Sequence, residues 1–463
     1  MPSLRDAESD LARALARLER RTAYADVMAQ RSSGHGLNLD RQTTSPRPLP
    51  MLEGAVFRAW DGATWVESAA SGLTDHALVA SVDHLLGRLP TTPGKAPPGE
   101  SPTGHAEKTT VEQRPAADFG IEAQIEWAKT RLDWATAVPG IENAFVNLLF
   151  ESDERLFLST AGAVRHQRLQ YALGAVVPLA IEGNRVETDR VAEGRTGGVE
   201  VLDAITEEVV MHASREAKEL LSAKSPPTGM MNVLLDPSTT GTFAHESFGH
   251  GAEADQVLRG RSYLAPLLGK VLGPECLTLV DNGALPGGWG SIFFDDEGHD
   301  AQRTVLVDRG RFVEVLSDRE SAAQLGRRPT GNTRRADFLS RPFVRMTNTY
   351  VEPGDRSFEE LIAEAKDGVV LQNFMSGIED PLGGNMQLKV KKGRRIEHGE
   401  LTEIFSSTAL SGKVLEFLQE IKGVSRASDM EFTSGACGKG HTDMLNTGTG
   451  GPYLLSRAVV GPG

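Results

Sequence analysis

The sequence predicts an α+β protein: an N-terminal α/β domain with helices on an antiparallel or mixed sheet, then a mainly antiparallel, barrel-like β domain. In the first half, segments with the period of amphipathic helices alternate with segments rich in β-branched and aromatic residues. In the second half, short apolar runs punctuated by Gly and Pro dominate. SPPTG at 225–229 breaks the chain between them. We therefore divide the chain into residues 1–224 and residues 225–463.

The elements of the N-terminal domain follow from the spacing of apolar residues. Leu4, Leu11, Leu15 and Leu18 predict a helix over 4–30. The other predicted elements are two strands within 52–67 joined at Asp61-Gly62, a helix over 73–88, a helix over 118–136, a hairpin over 144–160, further strand to about residue 187 and a helix over 200–223. PTTPGKAPPGESPTGHAEKTT at 90–110 can bury little apolar surface, so we expect a flexible loop there.

The C-terminal domain begins with a predicted strand, MNVLLD at 231–236, which Pro237 ends. The Ser and Thr residues at 238–240 can cap the next helix, which contains HESFGH at 245–250. The predicted strands beyond it are CLTLVD, SIFFDD, RTVLVD, RFVEVL, RPFVRMTNTYV, GVVLQNF and NMQLKVKKG, and a late helix is expected over 410–421.

Charge, the lack of long apolar runs and the cysteine content disfavour several classes of protein. The formal net charge of −14 disfavours a nucleic-acid partner, because phosphate binding needs clustered Lys and Arg. The N-terminal stretch lacks the apolar core of a signal peptide, and no run reaches the ~18 apolar residues of a membrane helix. With two cysteines, a disulfide-stapled secreted fold is disfavoured. We therefore expect a cytoplasmic protein without a membrane partner, and we expect Cys276 to be a small buried hydrophobe.

HESFGH resembles a zinc-peptidase signature whose histidines are four residues apart, but His245 and His250 are five apart. On a regular α-helix, positions five apart lie about 140° apart, so the two imidazoles would not meet at one metal. A π-type turn makes them neighbours, and the glycines at 249 and 251 accept such a backbone easily. Zinc binds neutral imidazole and activates water, and Glu246 is placed to take a proton from that water. The alternative is a pair of histidines on a polar helix end.

Several longer segments resemble the TldD/PmbA family of zinc metallopeptidases. HESFGHGAEADQVLRGRS (245–262) is similar to its H-E-x-x-G-H-x-x-E-x-D segment, and FDDEGHDAQRTVLVDRG (294–310) to its D-E-G-x-x-x-Q-R-T stretch. TGNTRRADF (330–338) and RMTNTYVEPGD (345–355) resemble the blocks that follow, and GACGKGH (435–441) resembles its Cys-Gly-Lys segment. The resemblance covers residues 230–463 well and the N-terminal half more loosely.

This resemblance implies one zinc ion per chain, with His245, His250 and Cys437 as ligands and Glu246 as the catalytic acid/base. Two imidazoles, a thiolate and one open position suit zinc. The family also implies peptide substrates bound extended against a strand edge. It implies a dimer, either of this chain with itself or with a related chain.

Six further residues are candidates for supporting or substrate-binding roles. Glu253 and Asp255 follow the motif at a distance suited to holding a ligand imidazole by its second nitrogen, although solvated helix-end acids are as common. Asp296 lies in an acidic run, where we favour a supporting or structural role over a second metal site. Arg334 and Arg335 are candidates for binding a substrate carboxylate. His441 stands where the family often has Gln, and its role is left open.

The sequence therefore favours zinc-dependent hydrolysis of peptide or amide bonds in an unstructured peptide or a peptide-like intermediate. One alternative is a dedicated amidase acting on a small-molecule biosynthetic intermediate. Another is a catalytically silent scaffold or partner subunit of a TldD/PmbA-type dimer, which the presence of all four site residues disfavours.

Overall fold

A mixed β-sheet forms the frame of the N-terminal half in the computed structural model, which describes residues 3–439 and 443–463. Its strands are β1 (Ala25–Leu39), β2 (Thr44–Trp60), β3 (Trp65–Ser71), β4 (Gly104–Thr109), β5 (Ile141–Ser159), β6 (Ala163–Glu182), β7 (Arg185–Thr188) and β8 (Val191–Thr196). The order is β3-β2-β1-β5-β6-β4, and β7 and β8 also pair with β6. Strand β4 runs parallel to β6 and the other pairs are antiparallel.

Helices cover one face of this sheet. They are α1 (Glu8–Ala16), α2 (Asp75–Arg88), α3 (Ile121–Thr136) and α4 (Glu207–Leu220). Leu156 and Leu158 of β5 pack with α1 and α2, whereas Phe157 between them packs with Phe294 and Phe338 of the C-terminal half. Because alternate residues of a strand face opposite sides, one face of the sheet buries the helices and the other buries the second half of the chain.

Three predictions for this half were wrong in part. The first helix ends at Ala16, and β1 begins at Ala25 within the range predicted as helix. The range 144–160 is not a hairpin but belongs to the single strand β5. Its polar run does not turn, because Asp153 accepts a hydrogen bond from Gln30 and Glu154 pairs with His166. These contacts satisfy buried carboxylates inside a continuous sheet.

The range 90–110 is also more ordered than its composition predicts. Residues 104–109 form β4, which is hydrogen-bonded to β6. The Arg319 side chain donates to the carbonyl oxygen of Pro98 and to Ser101 Oγ, at 3.0 and 2.7 Å. Backbone and arginine hydrogen bonds therefore fix this segment without an apolar core.

A strand barrel, a second sheet and a two-stranded sheet of β13 and β14 form the C-terminal half. Their strands are β9 (Gly229–Leu235), β10 (Leu279–Asn282), β11 (Arg303–Asp308), β12 (Arg311–Phe312), β13 (Thr333–Arg334), β14 (Phe343–Val344), β15 (Asn348–Val351), β16 (Gly368–Glu379), β17 (Asn385–Glu397), β18 (Glu400–Lys413), β19 (Gly423–Val424), β20 (Glu431–Lys439), β21 (Asp443–Gly451) and β22 (Leu454–Pro462). The barrel order is β18-β17-β16-β9-β22, and β22 also pairs with β18, which closes the ring. The second sheet has the order β12-β11-β10-β15-β21-β20. Parallel pairing is confined to β9–β16 and β15–β21 among the described strands of this half, so the predicted mainly antiparallel, barrel-like domain is confirmed.

Short helices connect these strands. They are α5 (Pro237–Thr242), a π-helix (Phe243–Gly249), α6 (Ala254–Leu258), α7 (Arg319–Gln324), α8 (Phe358–Ala365) and α9 (Val414–Gln419). The cap of α5 is Asp236, which accepts from Thr239 N, and not the Ser and Thr residues that follow it. The late helix is shorter than predicted because β18 continues to Lys413. SIFFDD lies outside the described strands and takes part only in an isolated bridge.

The π-helix lies at the centre of this half. Phe243 and Phe248 are fully buried and share one core with Leu388 of the barrel and Phe312 of the second sheet. The helix therefore has its position fixed by packing on both sides, which determines where its polar side chains can point.

Buried ion pairs join the two halves. Arg58 pairs with Asp26 on the neighbouring strand and with Glu297 of the C-terminal half, each at 2.8 Å. Arg155 pairs with Asp296 at 2.7 Å. Among the described residues, no helix has both the length and the apolar character needed to cross a membrane.

Candidate metal centre

A π-helix brings His245 and His250 to one side of the chain. The helix covers Phe243–Gly249, and the backbone N–H of His250 bonds to the carbonyl oxygen of His245. In this geometry residues five apart are near neighbours. The imidazole centroids lie 5.1 Å apart with their planes at 83°. The widened helix that the five-residue spacing requires is therefore present.

Cys437 completes a cluster of three donors. It lies on the edge strand β20, where it pairs with Leu445 of β21. Its Sγ lies 3.2 Å from His250 Nε2. One donor atom from each of the three side chains falls within 4.8 Å of the others. The structure thus brings together, from segments far apart in sequence, the three residues that the resemblance named as ligands.

The chemistry of these donors fits a zinc ion. Burial, followed by the charges of His250 and Arg345, holds the pKa of His245 well below its usual range, so its imidazole is neutral. Neutral imidazole is the form that binds metal. His245 Nδ1 is buried without a hydrogen-bond partner among the described residues, an arrangement that calls for a ligand in a native protein. Two imidazoles and a thiolate are a common zinc donor set.

Charged side chains surround His250 on the side away from the thiol. Glu253 Oε1 lies 3.7 Å from His250 Nδ1. Burial opposes protonation of His250, but Cys437 and Glu253 raise its pKa well above the usual range in the metal-free protein. Glu253 is itself held by Lys439, whose Nζ donates to Glu253 Oε2 at 2.7 Å and to Asp255 Oδ1 at 2.8 Å. Both predicted carboxylates therefore lie in one network beside the donors.

Two cations in this network were not predicted from the sequence. Lys439 links the carboxylates of Glu253 and Asp255, and Arg345 donates from Nη2 to the carbonyl oxygen of Cys437. Arg345 is 1% exposed, so this contact fixes the backbone of the cysteine from inside the core. The position of Lys439 two residues after Cys437 was the available signal, since a strand places such residues on the same face.

Glu246 lies next to the donors without joining them. Its Oε2 is 4.0 Å from His250 Nε2, and its side chain is 27% exposed. Burial raises the pKa of Glu246 and the nearby His250 partly offsets this effect. A carboxyl with a raised pKa that remains accessible is suited to accept and return a proton near neutral pH.

The remaining candidate residues lie elsewhere or are not described. Asp296 pairs with Arg155 and accepts from the backbone N–H of Arg335, so it belongs to the contact between the two halves. Arg335 donates to Glu67 at 3.1 Å and so also serves this contact. His441 lies outside the described residues.

Arg334 donates to the carbonyl oxygen of Met346 at 2.8 Å. Burial and the nearby charges of Arg345 and Arg155 lower its pKa to about 10. Its side chain is buried and donates within the chain, an arrangement that does not favour binding of a substrate carboxylate. Cys276 is exposed, and the prediction that it is a buried hydrophobe was wrong.

Comparison with known proteins identifies the family to which the chain is similar. Residues 228–461 match the family model described as the PmbA/TldA metallopeptidase C-terminal domain. A metalloprotease of Methanothermobacter thermautotrophicus is 37% identical over 77% of this chain and 78% of its own length. A zinc metalloprotease TldD homolog of Saccharolobus solfataricus is 31% identical over 62% of this chain and 63% of its own.

Among solved structures, TldE from Thermococcus kodakarensis covers 98% of this chain and 100% of its own, with a TM-score of 0.75 and 16% identity. That likeness shows a shared fold across both halves, and the family model and the sequence relatives show descent. The chain therefore belongs to the TldD/PmbA family of metallopeptidases.

Proposed function

We propose that this protein is a zinc-dependent peptidase that hydrolyses amide bonds in unstructured peptides or peptide-like compounds. In this proposal His245, His250 and Cys437 hold one zinc ion per chain and Glu246 is the catalytic acid/base. The observation that supports it most is the cluster of three donor atoms within 4.8 Å of one another, with a carboxyl beside them.

Each side chain around the donors would have a distinct role in hydrolysis. A zinc ion bound there would supply a Lewis acid that polarises the substrate carbonyl and acidifies water. Glu246 would take a proton from the attacking water and return it to the leaving amine. Glu253 would hold the second nitrogen of His250, and Lys439 would keep Glu253 ionised by pairing with it.

A strand edge beside Glu246 is suited to a peptide substrate. Strand β16 pairs with β9 only from Gly368 to Leu371 but continues along β17 as far as Glu379. A Cβ built on Gly377 of this extension would lie 3.2 Å from Glu246 Cγ. An extended peptide added along such an edge would place its backbone, rather than one particular side chain, next to the acid/base. The proposed substrates are therefore chains that can become extended.

For assembly, we propose a dimer, formed either by two copies of this chain or by this chain with a related one. This chain shares its fold with TldE, and chains of one fold can pair through equivalent surfaces. Since this chain keeps the whole donor set, it would be the metal-binding member of a mixed dimer.

The proposal is tested by metal content and product analysis. Purified protein should contain about one zinc per chain, and Cys437→Ser should lower this content because a neutral hydroxyl replaces the thiolate ligand. Wild-type protein should cleave a mixture of unstructured peptides, with the products identified by mass spectrometry. Glu246→Gln should retain zinc but lose at least ~100-fold in kcat/KM, as removal of a general base does.

A matched control removes the same charge far from the donors. Glu400 is exposed at the start of β18, and Glu400→Gln should cleave as the wild type does. Undiminished hydrolysis by Glu246→Gln would contradict the assigned role of Glu246. If the purified protein contains no zinc and hydrolyses no peptide, the result would instead support the alternative of a catalytically silent partner subunit.

A further inference from the structure

Glu379 is a third carboxyl close to the donors, and the mechanism above does not use it. It ends strand β16. Its Oε1 is buried and has no hydrogen-bond partner among the described residues. No salt bridge joins it to a Lys or Arg in the described part of the chain. Because an unsatisfied buried carboxylate is costly, such a group in a folded protein indicates a missing partner.

The pleat of β16 points Glu379 toward Glu246. Alternate residues of a strand share a face, so the side chain of residue 379 projects from the same side as a Cβ on Gly377. That Cβ would lie 3.2 Å from Glu246 Cγ. Ile378 between them is 70% exposed and so faces the opposite side. Glu379 is therefore one strand repeat along the same edge from the acid/base.

The charges around Glu379 are unfavourable to it. Burial raises its pKa and His250 lowers it, and the carboxyls of Glu246, Glu253 and Asp380 raise it, so that together they bring it to about 8. A cation placed among these carboxyls would favour their ionised forms and be attracted to the negative charge that results.

Glu379 is also held in place. The segment after it is tied to the π-helix by Tyr263, whose hydroxyl donates to the carbonyl oxygen of Ser247 at 2.5 Å. The backbone N–H of Tyr263 donates to the carbonyl oxygen of Pro381 at 2.8 Å. The carboxyl is thus positioned relative to the π-helix before any ligand arrives, which lowers the entropic cost of binding.

We propose that Glu379 is a specificity-determining residue that binds a cationic group of the substrate, either an α-ammonium or a Lys or Arg side chain, close to the cleaved bond. This inference rests on the proposed peptidase function and names its substrate class. A cation would pair with the unsatisfied oxygen and relieve the repulsion between Glu379 and Glu246. Along an extended peptide, the cationic residue would lie on the side that faces these two carboxyls.

The test compares matched peptides on matched variants. One acetylated peptide series carries a single Lys, moved through each position, and its control series carries norleucine instead. A further pair differs only in a free or an acetylated N-terminus. The variants are Glu379→Gln, Glu379→Lys and the distant control Glu400→Gln. Both kcat/KM of the zinc-loaded protein and binding of labelled peptides to metal-free protein are measured.

We expect the wild type and Glu400→Gln to prefer the cationic peptide of one pair. Glu379→Gln should lower the ratio of kcat/KM for the cationic and neutral peptides roughly 10- to 100-fold, because a charge-assisted hydrogen bond is lost. Glu379→Lys should reverse the preference. The pair that responds shows whether the cation is the α-ammonium or a side chain.

An unchanged ratio in Glu379→Gln and Glu379→Lys would overturn the inference while leaving the peptidase proposal intact. So would a loss of zinc affinity in Glu379→Gln without a change in the ratio, because Glu379 would then serve the metal. Glu379-dependent binding of cationic peptides without cleavage would support the inference and contradict the peptidase proposal.

Discussion

Replacing Gly249 by alanine tests how the π-helix is held in place. A Cβ on Gly249 would lie 2.0 Å from Met346 Sδ and 3.2 Å from its Cε. Met346 is 1% exposed, so its side chain has no solvent to move into. The backbone of Gly249 is ordinary right-handed helix, with φ −57° and ψ −49°. Any destabilisation by alanine must therefore come from this overlap and not from backbone strain.

The two opposing effects differ in size. Helix propensity alone would stabilise the alanine variant by about 1 kcal/mol. Overpacking a core position costs about 1–3 kcal/mol. Because an atom 2.0 Å from a buried sulfur requires real displacement, we expect the overlap to dominate. The variant should unfold at lower urea concentration, and it should bind zinc more weakly because His245 and His250 flank the shifted segment.

A double-mutant cycle isolates this contact. Met346→Ala alone should cost about 2–5 kcal/mol through the cavity it leaves. In the double variant the new Cβ occupies part of that cavity. The double variant should therefore lose less free energy of unfolding than the sum of the two single variants, by about 1–3 kcal/mol. Urea unfolding of the metal-free proteins and zinc competition with a chelator measure both quantities. Additive losses, or a Gly249→Ala variant more stable than the wild type, would refute the reasoning.

Two further predictions concern charge. Lys439→Met leaves Glu253, which is 1% exposed, without its 2.7 Å partner. The variant should lose about 3–5 kcal/mol of stability, measured by urea unfolding. Its zinc affinity should fall roughly 10- to 100-fold, measured by competition with a chelator. The more exposed pair of Lys391 is the control: Lys391→Met should cost about 1 kcal/mol or less, and equal losses in both variants would contradict the assignment. Burial opposes protonation of His299, but Asp295 raises its pKa from 6.5 to about 9. Because the pKa is higher in the folded state, protonation of His299 stabilises the protein. This contribution to the free energy of unfolding is fully present below pH 6.5 and is lost as pH rises through 9. The stability gap between wild type and His299→Gln should therefore be up to ~3 kcal/mol at low pH and shrink above the folded-state pKa; a gap that does not change with pH would count against this pairing.

Local patterns predicted the parts of the fold that depend on local physics. The five-residue spacing of His245 and His250 already required a widened helix, because regular α geometry separates them. Helices α2, α3 and α4 follow the period of their apolar residues. These features need no knowledge of distant segments.

Predictions failed where distant partners decide the structure. The polar run that contains Asp153 and Glu154 has the composition of a turn, yet Gln30 and His166 make it part of a buried strand. The roles of Lys439 and Arg345 likewise depend on contacts with segments about 90 to 190 residues away. Cys437 was selected through family resemblance, since one cysteine in a polar stretch has no distinguishing spacing of its own.

The order in which the chain is synthesised has a consequence for when this protein can act. Cys437 meets His250 across 187 residues, on an edge strand that is held by β21, a strand made later still. Until Cys437 has been synthesised, a nascent chain has only two of the three donors, even after its N-terminal half has folded. If the three donors bind zinc as proposed, full metal affinity would develop only when residues up to 451 have emerged and paired. On the proposed function, a hydrolase built in this way would be inactive on the ribosome, where unfolded polypeptide is most abundant.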